Sequence, residues 1–156
     1  NKREDNMEYD QLGGFFAWWY QKRPFMPPTV GEVVQVTDVS MSSIVYRSDD
    51  FQVQYVTYSP NSIVATHRHA NVDNILVYGS GDVNFRRNNE PQLVCNTPGQ
   101  EIIRIKPEDW HSVEFGPRGG AFYSIQHWLD SKPGFVLDDW EFKNKEETRK
   151  AHHGIT

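Results

Sequence analysis

Residues 59–81 read Ser59-Pro60-Asn61-Ser62-Ile63-Val64-Ala65-Thr66-His67-Arg68-His69-Ala70-Asn71-Val72-Asp73-Asn74-Ile75-Leu76-Val77-Tyr78-Gly79-Ser80-Gly81. Turn residues bracket the stretch at Ser59-Pro60-Asn61 and at Gly79-Ser80-Gly81. On a strand, residues i and i+2 point to the same face, about 6.6–6.8 Å apart along the backbone. His67 and His69 therefore share a face with Ile63 and Ala65, at the end of an apolar wall, while Arg68 points away. Two imidazoles at that separation converge on one ion, with metal–nitrogen distances of about 2.0–2.1 Å for zinc.

The chain from residue 32 to about 128 consists of short strand-like runs. Glu32–Val39 and Ser43–Arg47 are rich in β-branched residues. Phe51–Tyr55, Asp82–Arg86 and His111–Phe115 alternate between apolar and polar, which places one face of each in a core. Ser48-Asp49-Asp50, Asn88-Asn89 and Pro117-Arg118-Gly119-Gly120 supply further turns, and no helical pattern separates the runs. This is the punctuation of an all-β sandwich or barrel rather than of a parallel α/β sheet. In the last alternating run His111, Val113 and Phe115 make the apolar side, so His111 points inward. An inward histidine is either hydrogen-bonded in the core or a ligand; with a ligand-spaced pair upstream, the ligand reading is preferred.

The spacing resembles that of the cupin superfamily, whose first motif is Gly, five residues, His-x-His, three or four residues, Glu, six residues, Gly. Asn61 stands at the first glycine, His67 and His69 match, and Gly81 closes the motif. Asn tolerates the left-handed turn that glycine would supply. Lys106-Pro107-Glu108-Asp109-Trp110-His111 is similar to the second motif with its glycine lost. The resemblance covers residues 50–128 and implies a single jelly-roll-like cupin β-barrel with one divalent metal. Iron(II) is favoured, with manganese, nickel or zinc as alternatives. The departure lies at the glutamate position: counting from His69 selects Asp73, and counting back from Gly81 selects Asn74. With Asp73, the ligand set is His67, His69, His111 and Asp73, a preference that rests on the affinity of carboxylates for hard ions. With Asn74, the set is three histidines, as in cupin dioxygenases of small diketones and thiols.

Two flanking segments complete the organisation. Residues 1–31 form an N-terminal arm with the aromatic cluster Phe15-Phe16-Ala17-Trp18-Trp19-Tyr20, followed by Pro24, Pro27 and Pro28. Proline favours extended chain, so the arm is expected to be extended. It either packs on its own barrel or crosses to a second subunit, and a homodimer through the arm is expected. Residues 129–156 contain a turn at Ser131–Gly134 and helically spaced charges over Glu141–Lys150, read as a short C-terminal helix. His152 and His153 fall in the terminal tail and are not taken as ligands.

Composition narrows the function. The net charge is −5 and no window is rich in Lys and Arg, which argues against a nucleic-acid partner. No apolar run is long enough for a membrane span. Cys95 is the sole cysteine, so no intramolecular disulfide and no cysteine-based zinc cluster can form. A cytoplasmic location fits, and a start at Asn1 is also compatible with a removed leader. The partner expected is a small-molecule substrate inside the barrel. Tyr55, Tyr123 and His127 are the candidates for positioning substrate or moving protons, if their strand faces look inward. The reading is a metal-dependent enzyme, a mononuclear iron(II) dioxygenase first and a non-redox lyase, isomerase or decarboxylase second. A binding protein without turnover comes third.

Overall fold

The computed structural model describes residues 10–23, 33–134 and 140–143, with the backbone alone for 33–36 and 140. It is a β-barrel with one helix: α1 (Gln11–Lys22), β1 (Val33–Val36), β2 (Ser40–Arg47), β3 (Phe51–Tyr58), β4 (Ile63–His69), β5 (Val72–Arg87), β6 (Leu93–Val94), β7 (Ile102–Ile105), β8 (His111–Trp128) and β9 (Trp140–Phe142).

The frame is a long antiparallel ribbon of β5 and β8, paired from Val72↔Trp128 to Arg87↔His111. Register shifts at Tyr78/Ser80 and Gly81/Val83 divide the ribbon into two arms. β3 extends one arm along Gly120–His127, and β2 and β1 follow it. β4 extends the other arm along His111–Glu114, and β9 follows. The side chains between the arms form the main core: Tyr58, Val64, Leu76, Val83, Phe85, Cys95, Ile103, Ile105, Val113, Phe115 and Phe122. Its members come from both arms, so the ribbon folds back on itself and closes the barrel around them.

The glycine positions of the sequence motif have a physical basis. Gly81 has φ 78°, and a Cβ there would lie 2.3 Å from the Gly119 carbonyl oxygen. At the preceding turn Asn61 takes φ 57°, the left-handed conformation expected of it.

The arm departs from the extended chain expected from its prolines. Its aromatic segment is helix α1, because the prolines begin only at Pro24, beyond the C-cap Arg23. Asp10 caps the helix by accepting from the Gly13 N–H (2.6 Å). Leu12, Phe15, Phe16 and Trp19 lie at helical spacing and pack on Val53, Ile75, Val77 and Ile125, on the outer face of the β3–β8–β5 sheet. The helix thus covers its own barrel, while Trp18 and Tyr20 stay 41% exposed. The C-terminal helix expected over Glu141–Lys150 is corrected at its start. Glu141 and Phe142 lie on β9, where Arg68↔Glu141 pairing and two Arg68–Glu141 hydrogen bonds (3.0 and 3.1 Å) hold the segment against β4. Residues 144–150, with His152 and His153, lie outside the described residues.

Gly14 sits exposed in α1, and a Cβ there meets nothing within 4 Å. Gly14→Ala is expected to stabilise the protein by about 0.5–1 kcal/mol, since glycine carries that helix penalty relative to alanine. Denaturant midpoints check it, and a destabilised variant would show that the position makes demands beyond helix formation.

Candidate metal centre

β4 and β8 pair at His67↔His111, and strand alternation puts His69 on the same face two residues further on. All three imidazoles are buried, at 2%, 2% and 3% exposure. One potential ligand atom from each lies within 4.8 Å of the others. The ring centroids are 5.0 Å (His67–His69), 4.1 Å (His67–His111) and 5.2 Å (His69–His111) apart.

Local hydrogen bonds set the tautomers. His67 Nδ1 is 2.7 Å from the Ala65 carbonyl oxygen, and His111 Nδ1 is 2.9 Å from that of Asp109. A carbonyl only accepts, so Nδ1 carries the proton in both rings and Nε2 keeps its lone pair. Burial pushes His111 down to about 4, partly offset by its bond to Asp109, so the ring is neutral at neutral pH. Buried imidazoles, two of them with the second nitrogen fixed on a backbone carbonyl, form a donor set suited to a divalent metal. Glu108 anchors the loop between β7 and β8 by donating its backbone N–H to the His69 carbonyl (2.7 Å).

Of the two residues that the motif spacing offers, Asn74 is the one that faces inward. Asn74 is buried beside Leu76 on the inward side of β5, and its Oδ1 accepts from Ser124 Oγ (3.0 Å). Asp73, preferred as the ligand from its spacing, lies on the other side with Ile75 and is not part of the histidine cluster. Both its oxygens are engaged by Arg104, at 2.9 and 2.5 Å.

Tyr55, Tyr123 and His127 also lie on the outward face, beneath and beside α1. Tyr123 contacts Trp19 and Tyr55 with ring centroids 5.0 and 4.9 Å apart, and His127 stacks on Phe51 at 4.5 Å. His127 Nε2 is 3.3 Å from Asp50. Because neighbours on a strand alternate, the inward residues are instead Gln52, Gln54, Ser124 and Gln126. These residues, all buried, form a hydrogen-bonded network with Ser42, Asn74 and Trp128. Sequence reasoning missed them, although a run of same-parity amides on β3 and β8 was there to be read.

No protein-family model matches the sequence, and the comparison with curated proteins found no match. Solved structures do share the architecture. Rru_A2000 from Rhodospirillum rubrum, a cupin-2 domain, superposes with a TM-score of 0.58 at 8% identity, over 76% of this chain and 78% of that one. A structure described under the DMSP lyases RdDddP and RnDddQII gives 0.56 at 13% identity, over 75% and 64%. KdgF from Halomonas sp. gives 0.52 at 14% identity, over 62% and 86%. At such identities the likeness is one of architecture. Together with the folded-back β5–β8 ribbon, it establishes that this chain has the cupin fold.

Proposed function

We propose that this chain is a metal-dependent enzyme acting on a small molecule inside the barrel, and specifically a mononuclear iron(II) dioxygenase. The observation that carries the reading is the buried His67–His69–His111 cluster, with an amide rather than a carboxylate at the adjoining inward position. Iron(II) held there would supply dioxygen activation, whereas manganese, nickel or zinc would supply Lewis acidity. The chain would contribute a dry surrounding for the ion. The apolar core walls off water, and the backbone carbonyls of Ala65 and Asp109 keep two rings oriented.

Oxygen chemistry is preferred over proton transfer because the interior offers poor acids and bases. Among the described residues, the inward faces of β3, β5, β7 and β8 carry no carboxylate and no lysine. Tyr58 does face inward, but burial raises its phenol well above the ordinary value. Elimination, isomerisation or decarboxylation remains the second reading, favoured by the shared fold with a structure described as a DMSP lyase.

Elemental analysis of protein purified without a histidine tag tests the proposal. One equivalent of iron is expected, with nitric oxide giving a high-spin (S = 3/2) paramagnetic signal when added to the iron(II) form. Zinc or manganese in place of iron, with no response to nitric oxide after iron reconstitution, would move the assignment to Lewis-acid chemistry. Failure to take up any divalent metal would sink both.

A further inference from the structure

A run of hydrogen bonds in the barrel wall dictates which end of the Asn74 amide faces a ligand. Trp128 Nε1–H can only donate, and it donates to Gln126 Oε1 (2.9 Å). The Gly134 carbonyl can only accept, and it receives Gln52 Nε2 (2.8 Å), which also donates to Gln126 Oε1 (2.9 Å). Gln126 is thereby fixed with its oxygen toward Trp128 and Gln52. Its NH2 donates to Gln54 Oε1 (2.7 Å) and to Ser124 Oγ (3.0 Å). Ser124, already accepting from Gln126, directs its hydroxyl hydrogen to Asn74 Oδ1 (3.0 Å). The oxygen of Asn74 is thus committed to the wall. Among the described residues its Nδ2 has no hydrogen-bond partner, although the residue is only 2% exposed.

The fold brings this amide to the histidine end of the barrel. β5 begins directly after the Ala70–Asn71 corner that follows His69. Asn74 pairs with Ile105 on β7; three residues later the Glu108 backbone binds the His69 carbonyl, and His111 then opens β8. Three neutral imidazoles leave both charges of a divalent ion uncompensated. The described inward faces hold no carboxylate to offset them, since Asp73 is directed to Arg104. A charge so buried requires a counter-charge, and with none on the described inward faces an anionic ligand would supply it.

We propose that Asn74 is a ligand-positioning donor, its Nδ2–H bonding an oxygen of a small chelating oxyanion, a carboxylate or an enolate, held at the three-histidine centre. This assigns the substrate class, and it rests on the metal reading above. The test uses cobalt(II) alone, followed by visible absorption, and then acetohydroxamate as the chelating oxyanion. Asn74→Leu is expected to hold cobalt within about threefold of the wild type but to bind acetohydroxamate at least about tenfold more weakly, the scale of a hydrogen bond to a charged group. Asn74→Asp, nearly isosteric and so a safeguard against a folding defect in the leucine variant, is expected to bind cobalt more tightly and acetohydroxamate more weakly. Unchanged acetohydroxamate affinity in either folded variant would overturn the proposal. So would loss of cobalt from Asn74→Leu, which would make Asn74 a metal ligand. A wild-type protein that takes up no cobalt would instead remove the metal reading itself, a result separate from both.

Discussion

Replacing His111 with alanine is expected to abolish metal uptake and, in the metal-free protein, to remove part of the acid sensitivity of the fold. The first effect follows from geometry. His67 and His69 alone supply two neighbouring ligands from one strand, and His111 closes the triangle from β8. Two imidazoles with no inward carboxylate among the described residues cannot enclose a divalent ion, so isothermal titration should show affinity falling by at least about a hundredfold, past the tenfold-to-hundredfold loss typical of removing a supporting outer-shell partner. The second effect follows from the proton balance. Burial holds His111 at about 4 in the folded chain, against the ordinary 6.5. Above pH 6.5 the ring is neutral in both states and contributes no pH dependence. Between about 6.5 and 4 the unfolded chain takes up a proton that the folded chain refuses, so stability falls as pH falls. For this ring the loss reaches about 3 kcal/mol by pH 4. The cavity left by alanine lowers stability at every pH alike. The comparison is therefore between slopes: denaturant unfolding from pH 7 to pH 4 should be steeper in pH for the wild type than for His111→Ala. Equal slopes, or metal bound normally by the variant, would contradict the assignment of His111.

The histidines were legible in the sequence because strand alternation is a local property. His67 and His69 sit on the unbroken end of β4, past a register shift that puts Val64 rather than Ile63 in the core, and Val113 and Phe115 fix the side on which His111 lies. Parity does not survive a bulge, and there the sequence reading failed. On β8 the inward residues are odd-numbered at Val113 and Phe115 but even-numbered at Phe122, with shifts near Gly81 and Gly120 between them. Tyr123 and His127 consequently fall outside the barrel. Apolarity was no guide on β3, because both faces are buried: helix α1 covers Val53, while Gln52 and Gln54 satisfy one another within. The helix itself was hidden by its composition. Two glycines and five large aromatics in twelve residues obscure the spacing of Leu12, Phe15, Phe16 and Trp19, and the Asp10 cap shows its value only once Gly13 is seen to donate to it. Asp73 and Asn74 are a case of the same kind: one register step separates an inward position from one turned to Arg104 and the helix cap.

Arg104→Leu is expected to cost about 3–5 kcal/mol, the range for removing one partner of a buried ion pair. Arg104 is 8% exposed and binds Asp73 through two nitrogens (2.9 and 2.5 Å) and Asp10 through a third (2.8 Å). Asp10 caps α1 with its other oxygen, so a single guanidinium ties the helix to β5 and β7. The Asp73 carboxylate is 17% exposed and would lose its counter-charge, whereas Asp10 at 37% is open to water and should contribute little. The large term is therefore the stranded Asp73 charge. It follows that Arg104→Leu combined with Asp73→Asn should recover most of the lost stability, even though two interactions are gone instead of one. Trp19, buried at 2% against Tyr123, reports the helix: its emission should shift to the red in the single variant and return toward the wild-type value in the double. Asp73→Asn alone should leave metal affinity unchanged, because Asp73 faces the helix. A loss below about 1 kcal/mol in Arg104→Leu, or no recovery in the double variant, would refute the clamp. Metal lost from Asp73→Asn with the fold intact would return Asp73 to the ligand set.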